Sequence, residues 1–445
     1  MKKLGFFGAL SLVVGNIIGV GIFTTTGYMT RYLQDPLIIL LAWLVGACYA
    51  LSGARVYGIL SETYPLSGGD YQFLKHEIHP LLGYLFGWSA LFVTYSGSIA
   101  ALGIAAAHYL DALVTIPDFG ETFTLIDRTW LSLSTGTPKL IAVIFIFVFS
   151  WINYRGIYLS GLYQVILTAA IFFLLLGFSV SGLFSPAADF SNLFQPAPPR
   201  FILSGFLVAL VAVIFSYSGW TTAVYVAEEI RQPNLLVPKA LQLGVLLVGL
   251  IYLLINLTYL IALPASQMKD VINIASVVFE QLWGYQGKMI VSFIILIAVL
   301  SSLNSTILSG PRIYMAMGRE GYLAGFTAGL HPRFNSPRKA IWVQMFWSII
   351  LVLSGSFNQL LNFVVFVMVG FSLMAGWMAW RVINRRPKKK LINLTAILFY
   401  TLFCFIVMLN IFIEKPLESV VGSLLVSLAI PLYYVETKRK VNKML

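Results

Sequence analysis

The segment Gly15-Asn16-Ile17-Ile18-Gly19-Val20-Gly21-Ile22-Phe23 lies in an apolar run that begins near Gly5 and is long enough to cross a bilayer. Its glycines weaken a helix where a spanning segment most needs one. In hydrocarbon every backbone N–H and C=O must be paired, each orphan costs several kcal/mol, and irregular backbone persists only when buried in protein or facing a wet cavity. An interrupted span is therefore a candidate binding site. A second interruption, Phe215-Ser216-Tyr217-Ser218-Gly219-Trp220, falls in the apolar run that starts near Phe201. Paired interrupted spans at corresponding positions of two halves mark inverted-repeat membrane folds.

Composition supports this. Of 445 residues 59% are hydrophobic and only 10% charged, against about 25% charged in soluble domains. A spanning helix needs roughly 20 mostly apolar residues, and about twelve such segments are present: 5–31, 36–62, 80–110, 138–155, 159–184, 201–230, 238–263, 285–312, 340–356, 358–383, 391–413 and 416–436. The expected fold is an all-α integral membrane protein with these as spans 1 to 12. Pro36, Pro80, Pro138, Pro238, Pro337 and Pro416 are placed near starts, where a missing N–H costs little, and Pro65, Pro264 and Pro311 near ends.

Lys and Arg are retained on the cytoplasmic side. Alternating the spans puts Lys2, Lys3, Arg55, Lys75, Arg155, Arg231, Lys239, Arg312, Arg319, Arg333, Arg338, Lys339, Arg381, Arg385, Arg386, Lys388, Lys389, Lys390, Lys438, Arg439, Lys440 and Lys443 on one side, 22 of the 29. Arg31, Arg128, Lys139, Arg200, Lys269, Lys288 and Lys415 fall on the other. Both termini are expected in the cytoplasm, in the cell membrane. The net charge of +12 thus reflects topology. It does not indicate nucleic-acid binding, which needs a basic face on a folded domain. Met1-Lys2-Lys3 before an apolar run imitates a secretory signal, but the run is too long and its small residues are internal. Cys48 and Cys404 both fall in spans and suggest neither disulfide nor metal cluster.

The polar connection 111–137, with Asp111, Asp118, Glu121, Asp127 and Arg128, reads as an outward loop with room for a short helix. The connection 313–339 reads as a turn-rich basic cytoplasmic loop. If spans 1–5 (residues 1–184) and 6–10 (201–383) are two copies, the odd number per copy inverts the second in the membrane. Interrupted spans 1 and 6 then run antiparallel and meet near the midplane. Spans 11 and 12 (391–436) lie outside the repeat, and the whole chain, 1–445, is one transmembrane domain.

Gly15 to Phe23 resembles the first-helix signature of the amino acid-polyamine-organocation superfamily. Pro65-Leu66-Ser67-Gly68-Gly69-Asp70-Tyr71 resembles its segment after helix 2. Phe215 to Trp220, with Ala227-Glu228-Glu229-Ile230 and Pro238-Lys239-Ala240, resembles its helix 6 and exit. Ser301-Ser302-Leu303-Asn304 with Arg312 and Gly318-Arg319-Glu320-Gly321 resembles its helix 8 region. The order and spacing look most like L-type neutral amino acid transporters and their bacterial relatives. The resemblance implies a leucine-transporter-like fold of 5+5 inverted repeats with helices 1 and 6 discontinuous, and a secondary transporter of neutral amino acids.

A free amino acid carries a carboxylate and an ammonium close together, and a broken helix offers complementary ends. A half-helix N-terminus has unpaired N–H groups and partial positive charge, and a C-terminus has the reverse. The carboxylate is therefore assigned to amides around Val20, Gly21 and Ile22, and the ammonium to carbonyls of Ile17, Phe215, Ser216 and Ser218. Gly19 and Gly21 permit close approach, while Gly15 and Gly19, four apart, also fit simple helix packing. L-type relatives commonly carry a hydroxyl residue at Val20. Phe215 resembles the aromatic that closes over substrate, Trp220 is a second large neighbour, and Thr221 and Thr222 are candidate pocket lining. No charged side chain lies in or beside either break, which favours neutral substrates.

The resemblance also implies a helix 5 position that is lysine in several relatives and Ile171 here. Sodium coupling, with Ser301, Ser302 and Ser305 as a candidate cation site, stands open against proton coupling and against uncoupled exchange or facilitation. Serines in membrane helices usually bond back to their own carbonyls. Glu228 and Glu229 near Arg231 and Lys239, and Glu62 near Arg55, are candidate gate ion pairs. Rivals are a non-transporting amino acid sensor and an intramembrane enzyme. The latter needs clustered catalytic groups, but His76, His79, His108 and His331 are scattered. No cofactor or metal is implied. The expected partners are amino acid and bilayer, and the oligomeric state is open.

Overall fold

Asp35 starts span 2, Pro36–Thr63, by accepting from the amides of Leu37 (2.8 Å) and Ile38 (3.3 Å), with Pro36 pre-set for the first turn. His79 does the same for span 3, Pro80–Leu113, its Nδ1 accepting from Leu81 at 3.2 Å. The computed structural model describes residues 3–444 apart from 115, 117–123, 129–130, 135, 195–202, 356 and 386–389. Lys2, Asp118, Glu121, Arg200, Arg386, Lys388 and Lys389 lie outside the described residues, and Asp127, Arg128, Lys390 and Lys443 are described in backbone alone.

Ten helices among the described residues are long and apolar enough to cross a membrane. Span 1 is Phe6–Met29, followed by spans 2 and 3, span 4 (Thr137–Tyr154) and span 5 (Ile157–Leu183). Then come span 7 (Pro233–Ala262), span 8 (Ile274–Arg319), span 10 (Val365–Asn384), span 11 (Asn393–Glu414) and span 12 (Pro416–Lys440). The other two of the twelve expected segments are shorter helices. Leu203–Ser216, 14 residues, is stopped by the break of span 6, and Arg338–Ser354, 17 residues, forms span 9.

Several boundaries differ from expectation. Span 7 starts at Pro233, so Pro238 lies inside it, and span 8 continues through Pro311 to Arg319. Membrane helices tolerate such internal prolines. Span 8 also begins before residue 285, at Ile274, and bends where Trp283 (φ −138°) meets Gly284 (φ 66°). Within span 3, Ala90–Thr94 form a π-helical stretch, a local widening that often accompanies functional sites. Among its described residues, the connection after span 3 carries two antiparallel strands, Thr124–Arg128 paired with Leu131–Ser134. The alternation Leu-Ser-Leu-Ser has the strand period of two.

Burial places the site. In its most apolar stretch span 8 is 78% buried and span 12 only 22%. The first half of span 1 packs against spans 5, 7 and 8, and its second half against Leu203–Ser216. Both interrupted segments therefore pack against several other helices.

Candidate functional site

The first interruption is a real end of helix. Phe6–Ile17 closes at Ile18, whose backbone is extended (φ −73°, ψ 91°), and helix resumes at Gly21–Met29. The second stops at Ser216, turns through residues 217–221 with Gly219 at φ 105°, and resumes as Thr222–Tyr225. Only glycine adopts that φ at little cost, and space forbids any larger residue: a Cβ on Gly219 would lie 2.6 Å from the Asn16 carbonyl oxygen.

Asn16 joins the two breaks. Its Nδ2 donates to the Gly219 carbonyl at 3.0 Å and the Thr222 hydroxyl at 2.6 Å, while its Oδ1 accepts from Thr306 at 3.2 Å. Around it, Thr25 and Ser216 share a hydroxyl–hydroxyl bond of 2.7 Å. The Tyr252 hydroxyl lies 2.9 Å from the Ile17 carbonyl and 3.3 Å from that of Ser216. A Cβ on Gly21 would meet the Ser216 Cα at 2.9 Å, so the two chains approach as closely as glycine allows.

A cavity of about 1140 Å³ opens along both breaks. Ile17, Gly19, Val20, Gly21, Phe215, Ser216, Ser218 and Trp220 all line it. Ile22 does not, since its side chain is fully buried, although its amide still belongs to the open first turn of Gly21–Met29. Phe215 is 42% exposed and Trp220 only 6%, the latter packed edge-on against Tyr49 at 5.8 Å. Phe215 therefore has room to move and Trp220 does not. Thr221 lines the cavity, whereas Thr222 is buried and bonded to Asn16.

The three serines of span 8 are separated. Ser302 lines the cavity, and its hydroxyl donates toward the carbonyls of Gly15 (3.0 Å) and Ile18 (3.1 Å). Ser301 and Ser305 lie behind it: Ser301 accepts from Gln164 Nε2 at 2.9 Å, and Ser305 reaches the Leu12 carbonyl at 3.4 Å. Gln164 also joins Asn304 (2.8 Å), which accepts from Asn153 (2.9 Å). This buried neutral network fills the space beside Gly15, whose added Cβ would lie 2.2 Å from Gln164 Nε2. Gly15 is thus small because spans 5 and 8 crowd it. Ile171 is fully buried.

Among the described residues the charged side chains lining the cavity are Arg31 and Asp270, paired at 2.7 Å, and Asp70. Asp70 accepts from Tyr57 at 2.8 Å and from Tyr225. Around the Tyr225 end the expected ion pairs have other partners. Glu229 pairs with buried Arg312 (2.8 Å) and Glu228 with Arg319 (2.8 Å), both from span 8, while Arg55 donates to Asn393. Arg231 and Lys239 are neighbours in sequence only. The pairing depends on span 8 lying across the exit of span 6, which local spacing does not reveal. The sequence reading also passed over Asn16, Tyr252 and Asp70. An amide in an otherwise apolar span was a legible signal for Asn16, whereas Tyr252 is identifiable only by contact.

The amino acid permease family matches residues 4–435 of the chain. The serine/threonine exchanger SteT of Bacillus subtilis is 27% identical over 99% of this chain and 98% of its own length. The Asc-type amino acid transporter 1 of Mus musculus is 24% identical over 97% of this chain and 81% of its own. The large neutral amino acids transporter small subunit 2 of Homo sapiens is also 24% identical, over 97% of this chain and 80% of its own. With its interrupted spans joined through Asn16 and its match to that family nearly end to end, the chain belongs to the amino acid permease family, as a multi-pass membrane protein.

Proposed function

We propose that this protein is a secondary transporter, not an enzyme, that carries neutral L-amino acids across the cell membrane by alternating access, with both termini in the cytoplasm. The observation that carries the reading is the pair of helix breaks held face to face along one cavity by Asn16. The amides of Val20, Gly21 and Ile22 open a half-helix and suit a carboxylate; the carbonyls of Ile17, Phe215, Ser216 and Ser218 end their own segments and suit an ammonium. Tyr252 competes for the carbonyls of Ile17 and Ser216, and the Ser218 amide donates to that of Phe215 at 3.0 Å, so the ammonium rests chiefly on the Ser218 carbonyl. Phe215 closes over the bound molecule. Spans 1–5 and 6–10 are read as inverted repeats, residues 1–184 and 201–383, with spans 11 and 12 (391–436) outside them.

Neutral side chains fit because the cavity carries no unpaired cation among the described residues, and its one unpaired carboxylate, Asp70, has both oxygens engaged. The similar proteins, a serine/threonine exchanger and two amino acid transporters, support the same class. Sodium has no support from the serines, since of the three only Ser302 lines the cavity while Ser301 and Ser305 lie behind it. The test is uptake of a panel of labelled amino acids, including Lys and Glu, into proteoliposomes with and without internal substrate. Saturable uptake confined to neutral members is expected, and dependence on internal substrate identifies exchange. Indifference to every amino acid refutes the reading.

A further inference from the structure

Asp70 takes no part in the substrate site described above, yet it faces the same cavity. It is 2% exposed and opens the helix Asp70–Glu77, behind Gly68 (φ 107°) and Gly69 (φ 50°). A side chain on Gly69 would strike the Tyr225 ring at 2.6 Å, so the glycine pair lets this helix N-terminus seat directly on the second half of span 6. The Gly68 amide also donates to the Tyr225 carbonyl at 3.0 Å. The carboxylate thus bridges two bodies: Tyr57 of span 2 on one oxygen and Tyr225, beyond the break, on the other.

The surrounding charges are committed elsewhere. On its own helix Lys75 pairs with Glu320, just past the end of span 8, Glu77 pairs with Arg385 (2.9 Å), and His76 stacks on Tyr64. Arg312 of span 8 holds Glu229, and Arg319 holds Glu228. Arg381 of span 10 donates to the Glu77 carbonyl. Span 3 brings His79 and Tyr84 at its start and Tyr95 deeper, the last with its ring 5.7 Å from that of Tyr225. Asp70 is therefore a buried carboxyl between phenols, with no cation paired to it among the described residues, and burial pushes its pKa up to about 6 against the opposing hydrogen bonds of Tyr225 and Tyr57.

We propose that Asp70 is the proton-binding group of the transport cycle, loaded from the cavity and emptied on the opposite side when Tyr225 swings away with the second half of span 6. The proposal rests on the transport reading and adds its coupling ion. With Tyr225 in place, burial raises the carboxyl's proton affinity by more than the Tyr225 hydrogen bond lowers it. Once that half-helix leaves, the carboxyl is hydrated, reverts toward its ordinary value of 3.8 and gives up the proton. Proton and amino acid then cross in the same direction.

The test uses the full chain in proteoliposomes, with labelled L-serine as probe and a trapped pH dye. Net uptake is expected to rise roughly tenfold or more as external pH falls from about 7.5 to 5.5, following protonation of a group near 6, with substrate-driven acidification of the lumen. Asp70→Asn, normalised to its own maximum, should give a flat profile and no acidification. Asp70→Glu should keep a profile, and Tyr57→Phe should move the midpoint to higher pH because the charged form loses a donor. A wild-type pH profile in Asp70→Asn, or wild-type uptake without proton movement, overturns the proposal. Should Asp70→Asn fail to fold, an unmoved midpoint in Tyr57→Phe overturns it. Serine self-exchange at equal pH on both sides reports transport itself, so its presence without pH dependence sinks the proton site alone.

Discussion

Replacing Asn16 by alanine is the most direct trial of the idea that one side chain holds the two breaks together. The change removes the bonds to the Gly219 carbonyl (3.0 Å), the Thr222 hydroxyl (2.6 Å) and from Thr306 (3.2 Å). Hydrogen bonds between membrane helices average about 0.6 kcal/mol, because the unfolded reference also finds partners. Three of them sum to about 1.8 kcal/mol, or roughly a 20-fold change at 1.4 kcal/mol per decade. The loss should appear mainly as weaker substrate affinity, since the carbonyl ends of span 6 would no longer be held opposite the amides of span 1. Equilibrium binding of labelled amino acid to detergent-purified protein measures it. Thr222→Val alone should cost about a third as much in this additive account, and the double variant should be less than the sum because the two share a bond. Wild-type affinity in Asn16→Ala would refute the reasoning, as would an equal loss from a substitution remote from both breaks.

Gly219→Ala combines a φ of 105° with a Cβ 2.6 Å from the Asn16 carbonyl oxygen; strain of about 1–3 kcal/mol should weaken binding by about 5- to 100-fold, read from uptake KM. Arg312 is fully buried on Glu229, so Glu229→Gln leaves an uncompensated charge worth about 3–5 kcal/mol; thermal stability of purified protein should fall sharply and partly recover with Arg312→Gln added. Replacing sodium by N-methylglucamine should leave uptake unchanged, because only Ser302 of the three serines reaches the cavity; a sodium-dependent KM would contradict this.

Much was legible from local chemistry. The twelve apolar segments follow from composition, and the start of span 2 from Asp35-Pro36. The helix Phe357–Asn384, which contains span 10, follows a glycine stop, Gly355 at φ 67°. Other features were misread because their causes are remote in sequence. Pro238 was read near a start and Pro311 near an end, yet both lie inside helices. Glu228 and Glu229 looked toward Arg231 and Lys239, yet their partners come from more than eighty residues away.

The sequence by itself determined that the chain is a bundle of membrane helices with two weak points, because hydropathy and glycine act over one span and need no knowledge of neighbours. Tertiary structure alone decided what the weak points do. Whether Gly15 serves a ligand or a packed helix turned on Gln164, Thr168 and Ser301 arriving within van der Waals reach of it. Whether Asp70 is a surface loop residue or a buried carboxyl turned on Tyr57 and Tyr225 closing over it. Hydrogen bonds and desolvation depend on which groups meet in space, and in this fold those groups come from spans far apart along the chain.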